Sequence, residues 1–457
     1  MTFVAAVLIS GGVFYGLVVL LDFQDLDTTA KLDAKTLFDL LKLSFGVVAG
    51  AGALVALVVA YRRQRVDEAG AHREATRLHT ERFSQAVDKL GSDSPAVRLG
   101  GVHALAGLAD DAPDSSLRQT CIDVLCAYLR LPYTPDPGED PAYLEERNHY
   151  IALREVRHTI LRLIGDHYRR PEGTHRSWQG CDLDLTGVTI DGRMDFSGST
   201  FSRGTVSFTG AMFSNATVDF FGAEFSGSTL SFSGSTFSGG RVNFGSAGFS
   251  SGDVSFYKAV FSGCSVSFDK AAFSGSTVFF GQATFSGGLV SFLQSAFSQN
   301  RVSFARATFS SGRVYFGDAA FSGGEVDFGR AAFSGGEVDF DRAAFSGGMV
   351  SFTNAEFSGS HTDFRRAMFS GSTVSFGQTA FSGGEVDFYD ATFSGGLVTF
   401  AGSTFSTGVV SFGSSTFSGG QMYFGDATGS APNGLLAAIG SPVPTTVTLA
   451  QTWIPNP

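Results

Sequence analysis

The second half of the chain carries phenylalanine at two fixed positions in every twelve residues. One series runs from Phe201 to Phe417 and the other from Phe208 to Phe424, and no insertion or deletion interrupts either. Valine stands two residues before most members of the second series, and alanine or serine two residues before most members of the first. This self-similarity predicts a repeat architecture in which each unit packs on its neighbours.

Each twelve-residue unit contains two apolar pairs of period two. The segment Phe333–Phe340, F-S-G-G-E-V-D-F, shows one of them as a valine and a phenylalanine two residues apart. Side chains two residues apart point to the same face of a strand, so both members of a pair are predicted to face the interior. The intervening S-G-G is predicted to supply corners, because glycine reaches the positive φ angles that tight turns need.

Two uncharged apolar runs lie near the amino terminus. The first covers residues 2–21 and the second Leu43–Tyr61, and each is long enough to cross a hydrocarbon core of about 30 Å as a helix. A cleaved signal peptide fits the first run poorly, because no basic residue precedes the run and no small-residue cleavage site follows it. The sequence therefore predicts two transmembrane helices.

The flanking charges predict how these helices are oriented. Residues 22–42 between the runs carry five aspartates against three lysines, whereas Arg62, Arg63 and Arg65 follow the second run. The positive-inside rule then leaves only residues 22–42 outside. We predict a multi-pass protein of the cell membrane with both termini in the cytoplasm.

Residues between the second run and the repeats have helical periodicity. Helices are predicted from Ser94-Pro95, near Ser115–Leu131 and over about 141–168. A proline-rich loop separates the last two. This region is predicted to be a small α-helical domain.

Histidine and cysteine offer little chemistry in this sequence. His149, His158 and His167 recur at nine residues, which places successive members on opposite faces of a helix. Solvated or helix-end roles are therefore expected rather than metal ligation. The four cysteines have no metal-ligand spacing and are expected to be buried thiols in a reducing compartment.

The repeat region begins with a plain five-residue spacing, in Cys181–Ile190, and with its later units it resembles the pentapeptide-repeat proteins. Two further segments are similar to those of the membrane-anchored pentapeptide-repeat proteins of actinobacteria: Leu90–Val102 (LGSDSPAVRLGGV) and Trp178–Gly187 (WQGCDLDLTG). The resemblance implies a mainly β fold, a right-handed pentapeptide-type β-solenoid. The alternating spacing of five and seven departs from the family's regular square cross-section.

The resemblance also bears on coil length. Four sides per turn, as in the family, combine with the alternating spacing of five and seven to give about 24 residues per coil. A twelve-residue coil is the alternative, but it would have to enclose two phenylalanines, a valine and an alanine in one narrow turn. Because interiors are already close-packed, such overpacking is strongly destabilising. We predict about ten coils of this length over residues 181–427, a rod of roughly 50 Å.

The predicted organisation has four parts. They are a two-helix transmembrane hairpin (1–65), a cytoplasmic α-helical region (66–178), a pentapeptide-repeat-like β-solenoid (179–427) and a carboxyl-terminal cap or tail (428–457).

Charge is unevenly distributed along the solenoid. Residues 195–317 hold five acids and seven bases, whereas residues 318–390 hold eleven acids and four bases. With the predicted coil length, three aspartates of the second stretch stack directly and two glutamates flank them with His361 between, and we name these five acids the acidic ladder. These are Glu337, Asp339, Asp363, Glu385 and Asp387. Stacked like charges repel, so a binding role is one explanation and duplication of solvated carboxylates the other.

The chain carries no recognised catalytic motif and no cofactor-binding or metal-binding motif. The leading hypothesis is a non-enzymatic, membrane-tethered scaffold that presents the solenoid to an unknown protein partner. A second hypothesis comes from the resemblance, because some pentapeptide-repeat proteins are acidic, DNA-shaped binders of DNA gyrase. The third hypothesis is an enzyme, whose active site could lie only in residues 66–180. The net charge of -11 argues against direct nucleic-acid binding, and no small-molecule substrate is evident.

Overall fold

A computed structural model of the protein describes residues 11, 12, 15, 16, 34–132 and 136–454. The chain divides into two compact units, Met1–Thr80 and Glu81–Pro457, which are treated separately below.

One continuous helix, α1 (Ala34–Leu90), contains the second predicted membrane span. Residues 34–42 were predicted as part of the loop between the spans, but they are helical, in keeping with the strong helix formers Ala, Lys and Leu among them. Within the described residues one helical segment, Phe45–Leu90, is long and apolar enough to cross a membrane, and its apolar window is not buried. Among the described residues the structure therefore offers one candidate span, whereas the sequence predicts two in the whole chain.

The first predicted span, residues 2–21, lies outside the described residues apart from four helical positions. Length and composition alone support the span in α1. Membrane insertion, the number of spans and their orientation stay predictions.

Three helices precede the solenoid in the second unit. They are α2 (Pro95–Asp110), α3 (Ser115–Arg130) and α4 (Leu144–Tyr168), and α4 follows a 3-10 turn at Pro141–Tyr143. Asp114 caps α3, since its side chain accepts a hydrogen bond from the Leu117 backbone N–H.

The end of α4 covers the first coil of the solenoid. The Tyr168 ring contacts Phe196 and Phe201, with ring centroids 5.6 and 5.5 Å away, and the Tyr168 hydroxyl donates a hydrogen bond to the Cys181 carbonyl at 2.6 Å. Terminal units of a repeat stack need such a cover because their apolar interior would otherwise meet water.

Short parallel strands make up the solenoid. Their bounds are β1 (Leu183–Asp184), β2 (Thr189–Ile190), β3 (Arg193–Asp195), β4 (Thr200–Phe201), β5 (Thr205–Ser207), β6 (Met212–Phe213), β7 (Ala216–Asp219), β8 (Glu224–Ser231), β9 (Thr236–Phe237), β10 (Gly240–Asn243), β11 (Gly248–Ser255), β12 (Val260–Ser267), β13 (Ala272–Phe273), β14 (Thr277–Phe279), β15 (Thr284–Ser291), β16 (Ala296–Phe297), β17 (Arg301–Ser303), β18 (Thr308–Tyr315), β19 (Ala320–Asp327), β20 (Ala332–Phe333), β21 (Glu337–Asp339), β22 (Ala344–Ser351), β23 (Glu356–Asp363), β24 (Met368–Ser375), β25 (Ala380–Asp387), β26 (Thr392–Thr399), β27 (Thr404–Phe405), β28 (Val409–Ser411), β29 (Thr416–Tyr423), β30 (Thr428–Gly429) and β31 (Val447–Thr448).

These strands form two parallel sheets, sheet A with 15 strands and sheet B with 16. Successive twelve-residue units alternate between them, so each coil passes once through each sheet. Register partners lie two units apart, as in Phe249 with Phe273 and Val254 with Val278. The structure thus confirms about 24 residues per coil and has about eleven turns, one more than predicted.

Phenylalanine fills the interior in continuous stacks. Phe304 is fully buried, and its ring lies 4.7 Å from the rings of Phe280 and Phe328 in the coils on either side. It also meets Phe292 and Phe316 edge-on at 5.9 and 5.8 Å. Stacked and edge-to-face pairs are the two favourable aromatic geometries, and Phe304 makes both.

Serine replaces alanine at some interior positions, and its hydroxyl is paired in the coils that follow the first. The buried Ser235 and Ser403 donate hydrogen bonds of 2.6 Å to the carbonyls of Phe208 and Phe376 in the preceding coil. Ser199 stands at the same position in the first coil, and its hydroxyl finds no partner. A buried hydroxyl is therefore accommodated where another coil lies beneath it.

Two kinds of corner bend each coil. The second glycine of S-G-G has positive φ, as predicted, for example 74° at Gly336. The other corner lies two residues after each second-series phenylalanine, where non-glycine residues such as Arg306 and Arg330 have φ of 59°. The left-handed conformation is uncommon for such residues, and it costs roughly 1–2 kcal/mol. Some units have glycine at this position, such as Gly402, and this glycine was the signal in the sequence for a second corner with positive φ.

The carboxyl-terminal residues cover the last coil. A short helix, α5 (Leu435–Ile439), precedes β31, which pairs with β29 and extends sheet A by one strand. Trp453 lies in a 3-10 turn, and its ring contacts Phe405 and Phe424 at 5.5 Å. Both ends of the apolar interior are therefore closed.

Candidate interaction surface

The acidic ladder lies on sheet B, in three consecutive strands. Asp339 is the register partner of Asp363, and Asp363 is the register partner of Asp387. Glu337 and Glu385 flank the same column, with His361 between them. The five predicted residues therefore do lie together, although whether they bind anything stays a prediction.

The three aspartates have a local structural role that the sequence analysis missed. Each accepts a hydrogen bond from the backbone N–H two residues later, at 2.6 Å for Asp339, 2.7 Å for Asp363 and 2.9 Å for Asp387. Ser303, at the same position in its unit, accepts the corresponding bond at 3.3 Å. A short polar side chain thus fixes the corner that follows, which explains why serine and aspartate dominate this position.

Two neighbouring arginines pair with aspartates, one within the ladder and one beside it. Arg365 Nε lies 2.7 Å from Asp363 Oδ2, and the Asp363 side chain is only 4% exposed. Arg366 donates two hydrogen bonds to the carboxylate of Asp341, at 2.8 and 2.6 Å. Two parallel N–H···O bonds of this kind are the strongest form of surface ion pair. Arg366 follows Asp341 by 25 residues, one more than a coil, so the coil register did not reveal this pairing.

Burial and charge repulsion raise the pKa values of Asp339 and Asp387, the two outer aspartates of the ladder. Burial raises the pKa of Asp339, and the neighbouring Asp363 carboxylate adds to the rise, against the backbone hydrogen bond. Burial likewise raises the pKa of Asp387, with Asp363 and Glu385 adding to it. Both carboxylates are therefore less stable as anions in the folded protein than in water.

The two glutamates are the part of the ladder that faces solvent. The side chains of Glu337 and Glu385 are 40% and 50% exposed. Glu337 lies 3.5 Å from Arg313, and Glu385 lies 3.2 Å from the Nδ1 atom of His361. Solvent-exposed pairs of this kind are weak, so a partner with stronger positive charge can displace them.

A second polar feature lies where α4 meets the first coil. This cleft has a volume of about 460 Å³, and its charged side chains pair with one another. Asp166 binds Arg162 and Arg169, and Asp195 binds Arg169 and Arg193, at 2.6 to 3.3 Å. Mutual pairing accounts for these charges without a ligand, and it holds the helix on the solenoid.

Two of the three predicted histidines are engaged rather than solvated. His158 Nε2 lies 3.0 Å from Asp191 Oδ1, beside Arg154. Burial acts to raise the pKa of Asp191, but the hydrogen bonds from His158 and Arg154 outweigh it and lower that pKa to about 2. Packing of α4 on the first coil created these contacts, which the helical spacing could not reveal.

His167 joins three parts of the helical region. It is buried at the end of α4, and its ring stacks on Trp178 at 4.1 Å. Its Nδ1 lies 2.6 Å from the Leu163 carbonyl and its Nε2 lies 3.2 Å from Asp110, which also accepts a hydrogen bond from the Trp178 indole. The helix-end role was predicted, but burial was not.

The cysteines and the described side chains offer no metal site. Burial raises the pKa of the Cys121 and Cys264 thiols to about 11 and that of Cys126 to about 12. Cys181 is only half-buried, contrary to prediction. Among residues 34–132 and 136–454, no group of three or more histidine, cysteine or acidic side chains could hold a metal ion.

A protein-family model matches part of the solenoid. The profile described as "Pentapeptide repeats (9 copies)" matches residues 352–404, a stretch that contains β23 to β26. No curated protein and no solved structure matches the chain. The resemblance to pentapeptide repeats and the β-solenoid architecture are thus both supported, while the narrower resemblance to membrane-anchored actinobacterial proteins stays a prediction.

Proposed function

We propose that this protein is a non-enzymatic interaction module that presents a rigid β-solenoid to a protein partner from the inner face of a membrane. The pentapeptide-repeat match and the continuous phenylalanine core support the first part. A stack in which every unit is fixed by its neighbours offers a fixed outer surface, which suits binding rather than a conformational cycle.

The observation that carries the proposal is the pair of exposed glutamates on sheet B. Glu337 and Glu385 occupy the same position two coils apart, so their backbones are separated by roughly 9–10 Å. In a polyproline II segment, every third side chain lies on one face at a similar spacing. The partner is therefore an extended basic segment of a protein, and its affinity should fall as salt screens the contact.

The membrane tether rests on the apolar stretch of α1 and the arginines that follow it. Residues 45–61 carry no charge and Arg62, Arg63 and Arg65 come next, an arrangement typical of the cytoplasmic end of a membrane span. The tether would place the solenoid in the cytoplasm, where a basic partner could be held at the membrane.

Mimicry of DNA, the second hypothesis, finds less support. A DNA mimic needs free carboxylates along much of its surface, whereas here Asp363 is buried against Arg365. The acids of residues 337–387 also lie mostly on one sheet.

The proposal can be tested with a short fluorescent peptide that has arginine at every third position and serine between. Anisotropy is measured on the full chain in detergent micelles at 50 and 200 mM NaCl, salt concentrations chosen to span roughly a twofold change in screening length. The variant Glu337→Gln/Glu385→Gln should bind at least about tenfold more weakly than the unmodified chain, a loss of ~1.4 kcal/mol.

A matched control is available on sheet A. Glu325 occupies the same position in its unit as Glu337 and has an arginine partner, Arg301, at 3.4 Å. The variant Glu325→Gln should leave binding unchanged. Equal loss in the two variants, or binding that ignores salt, would show that the acidic ladder is not the binding surface.

A further inference from the structure

Each coil has two corners that lie two residues after a second-series phenylalanine, and these two corners differ in charge. One leads from sheet A to sheet B, and the other leads from sheet B back to sheet A. Successive coils stack the first kind into a column without an acid over six coils, which we name the basic column: Lys258, Gln282, Arg306, Arg330, Asn354 and Gln378. The opposite column over the neighbouring units includes two aspartates: Lys270, Gln294, Asp318, Arg342, Arg366 and Asp390.

The backbone at these corners is unfavourable for a long side chain. Arg306 and Arg330 both have φ of 59°, in the left-handed region, whereas Gly402 adopts the same conformation in the same column without a Cβ. Residues held in such a conformation concentrate at sites where the side chain has a role. The two arginines therefore need a compensating contact.

Other basic residues at these corners have such a contact within the protein. The pairs are Arg342 with Asp318 at 2.9 Å, Arg366 with Asp341 at 2.6 Å, and Lys258 with the ring of Tyr257 at 5.2 Å. Among residues 34–132 and 136–454, by contrast, no carboxylate oxygen lies within 4.0 Å of the guanidinium of Arg306 or Arg330. Asp327, three residues before Arg330, accepts the Gly329 backbone N–H at 2.7 Å instead.

These two arginines lie on adjacent coils. The Arg306 backbone N–H donates a hydrogen bond of 2.9 Å to the Gly329 carbonyl, so this corner rests directly on the corner that holds Arg330. Equivalent Cα atoms of neighbouring coils are about 4.8 Å apart. Both side chains are exposed, and the residues that precede them, Ala305 and Gly329, are too small to cover them. Two positive charges at this spacing repel each other unless an anion lies between them.

We propose that Arg306 and Arg330 form a binding site for a phosphate monoester, carried by a phosphorylated serine or threonine of a protein partner. Such a group has about two negative charges at neutral pH and three terminal oxygens that accept hydrogen bonds. Each guanidinium presents its N–H donors as a planar fork that matches phosphate oxygens. One dianion therefore neutralises both arginines, whereas a carboxylate neutralises one.

Other anionic partners fit the column less well. An extended acidic segment that lies along the rod has same-face side chains about 6.6 Å apart, which does not match the spacing of about 4.8 Å between coils. An anionic membrane surface also carries phosphate groups, but the net charge of -11 opposes its approach to the solenoid. The site lies at a different corner from the acidic ladder, so it does not depend on the function proposed above.

The repeats supply a matched pair of variants. Glutamine already stands in the basic column at Gln282, with φ of 57°, so Arg306→Gln/Arg330→Gln should keep the corner and remove two charges. The control, Arg342→Gln/Arg366→Gln, removes the same number of charges from the opposite column. Any effect of net charge alone is therefore equal in the two variants.

Anisotropy of a short fluorescent peptide measures the binding, with one phosphoserine among glycines and alanines and the full chain in detergent micelles at neutral pH. The unmodified chain and Arg342→Gln/Arg366→Gln should bind with the same affinity, and Arg306→Gln/Arg330→Gln should bind at least tenfold more weakly. Equal loss in the two variants would overturn the proposal, as would absence of binding to the unmodified chain at a concentration of about 1 mM.

Two further arms identify the chemistry of the ligand. The same peptide with glutamate in place of phosphoserine should bind the unmodified chain at least tenfold more weakly, because it brings a single charge; equal affinity would overturn the phosphate assignment. A phosphoinositide added to the micelles at the concentration of the peptide should leave peptide binding unchanged. Loss of peptide binding there would make a lipid the occupant and overturn the proposal of a protein partner.

Discussion

Asp339 and Asp363 are register partners on adjacent strands of one parallel sheet, although a full coil of the chain separates them in sequence. Ser351, which lies midway between them in the chain, belongs to the other sheet. The pairing brings two carboxylates of like charge together, and Asp387 extends the column by one more. Charge repulsion is therefore built into sheet B.

This repulsion predicts a pH-dependent effect of the variant Asp339→Ser/Asp387→Ser. The pKa values of both aspartates are raised above the ordinary 3.8, so their ionised forms destabilise the folded state. The penalty is complete above the raised pKa values and is relieved as the pH falls through them towards 3.8. The variant should therefore be stabilised over the unmodified chain by a larger free energy of unfolding at pH 7 than at pH 4.

Urea unfolding at the two pH values measures the effect, expected to be about 1 kcal/mol. Asp327→Ser is the control, because Asp327 has Ser303 and Ser351 as its neighbours in the column and so lacks the repulsion. The same pH dependence in Asp327→Ser would mean that repulsion within the ladder is not the cause.

Phe304→Ala should destabilise the solenoid by about 3–5 kcal/mol, because it leaves a cavity in a fully stacked core. Its neighbour Ser303 is partly exposed, and Ser303→Lys should change the free energy of unfolding by no more than about 1 kcal/mol. Urea denaturation followed by circular dichroism gives both values. Similar losses at the two positions would show that the inward and outward assignment is wrong.

Gly384→Ala should be far more destabilising than Gly402→Ala, although both glycines have positive φ, 68° and 65°. A Cβ at Gly384 would overlap the carbonyl of Ser360 and lie 2.9 Å from its nitrogen, whereas at Gly402 the nearest atom is Gln378 Cγ at 3.6 Å. The first change should cost several kcal/mol and the second only about 1–2 kcal/mol of conformational strain. Thermal melts of the two variants separate the steric cost from the conformational strain that both share. Equal melting temperatures would show that the Cβ overlap at Gly384 adds no cost.

Trp453→Ala should open the carboxyl-terminal end of the solenoid. Trp453 covers Phe405 and Phe424, and its indole donates a hydrogen bond of 2.8 Å to the Gly429 carbonyl. Hydrogen exchange should accelerate in the last two coils, while the central coils keep their protection. The neighbouring Ile454 is 56% exposed, so Ile454→Ala should leave exchange unchanged. Uniform acceleration along the chain would mean that the cap acts globally.

Membrane orientation is testable with single cysteines in a chain whose native cysteines are replaced by alanine. An impermeant thiol reagent should label Thr28→Cys in intact cells and should not label Ser430→Cys. The first residue lies in the stretch predicted to be outside, and the second follows the solenoid predicted to be in the cytoplasm. Labelling of Ser430→Cys before lysis would refute the predicted orientation.

The sequence by itself determined the repeat and its interior. Phenylalanine at every twelfth position, paired at period two with valine or alanine, admits few arrangements that bury all these side chains at normal packing density. The inward direction of residues such as Phe304 followed from that, and the coil length followed once the resemblance to pentapeptide repeats implied four sides per turn. The charge contrast between Asp339 and Ser351 also follows once the coil length is known.

Only the tertiary structure decided which polar groups neutralise one another. Arg366 reaches Asp341 across 25 residues, and the Trp178 indole reaches Asp110 across 68. Neither separation is a multiple of the repeat, because these contacts depend on how side chains bend around a corner or how a helix docks on the first coil. Periodicity fixes which residues stack, whereas such contacts are set by the shapes of the surfaces that meet.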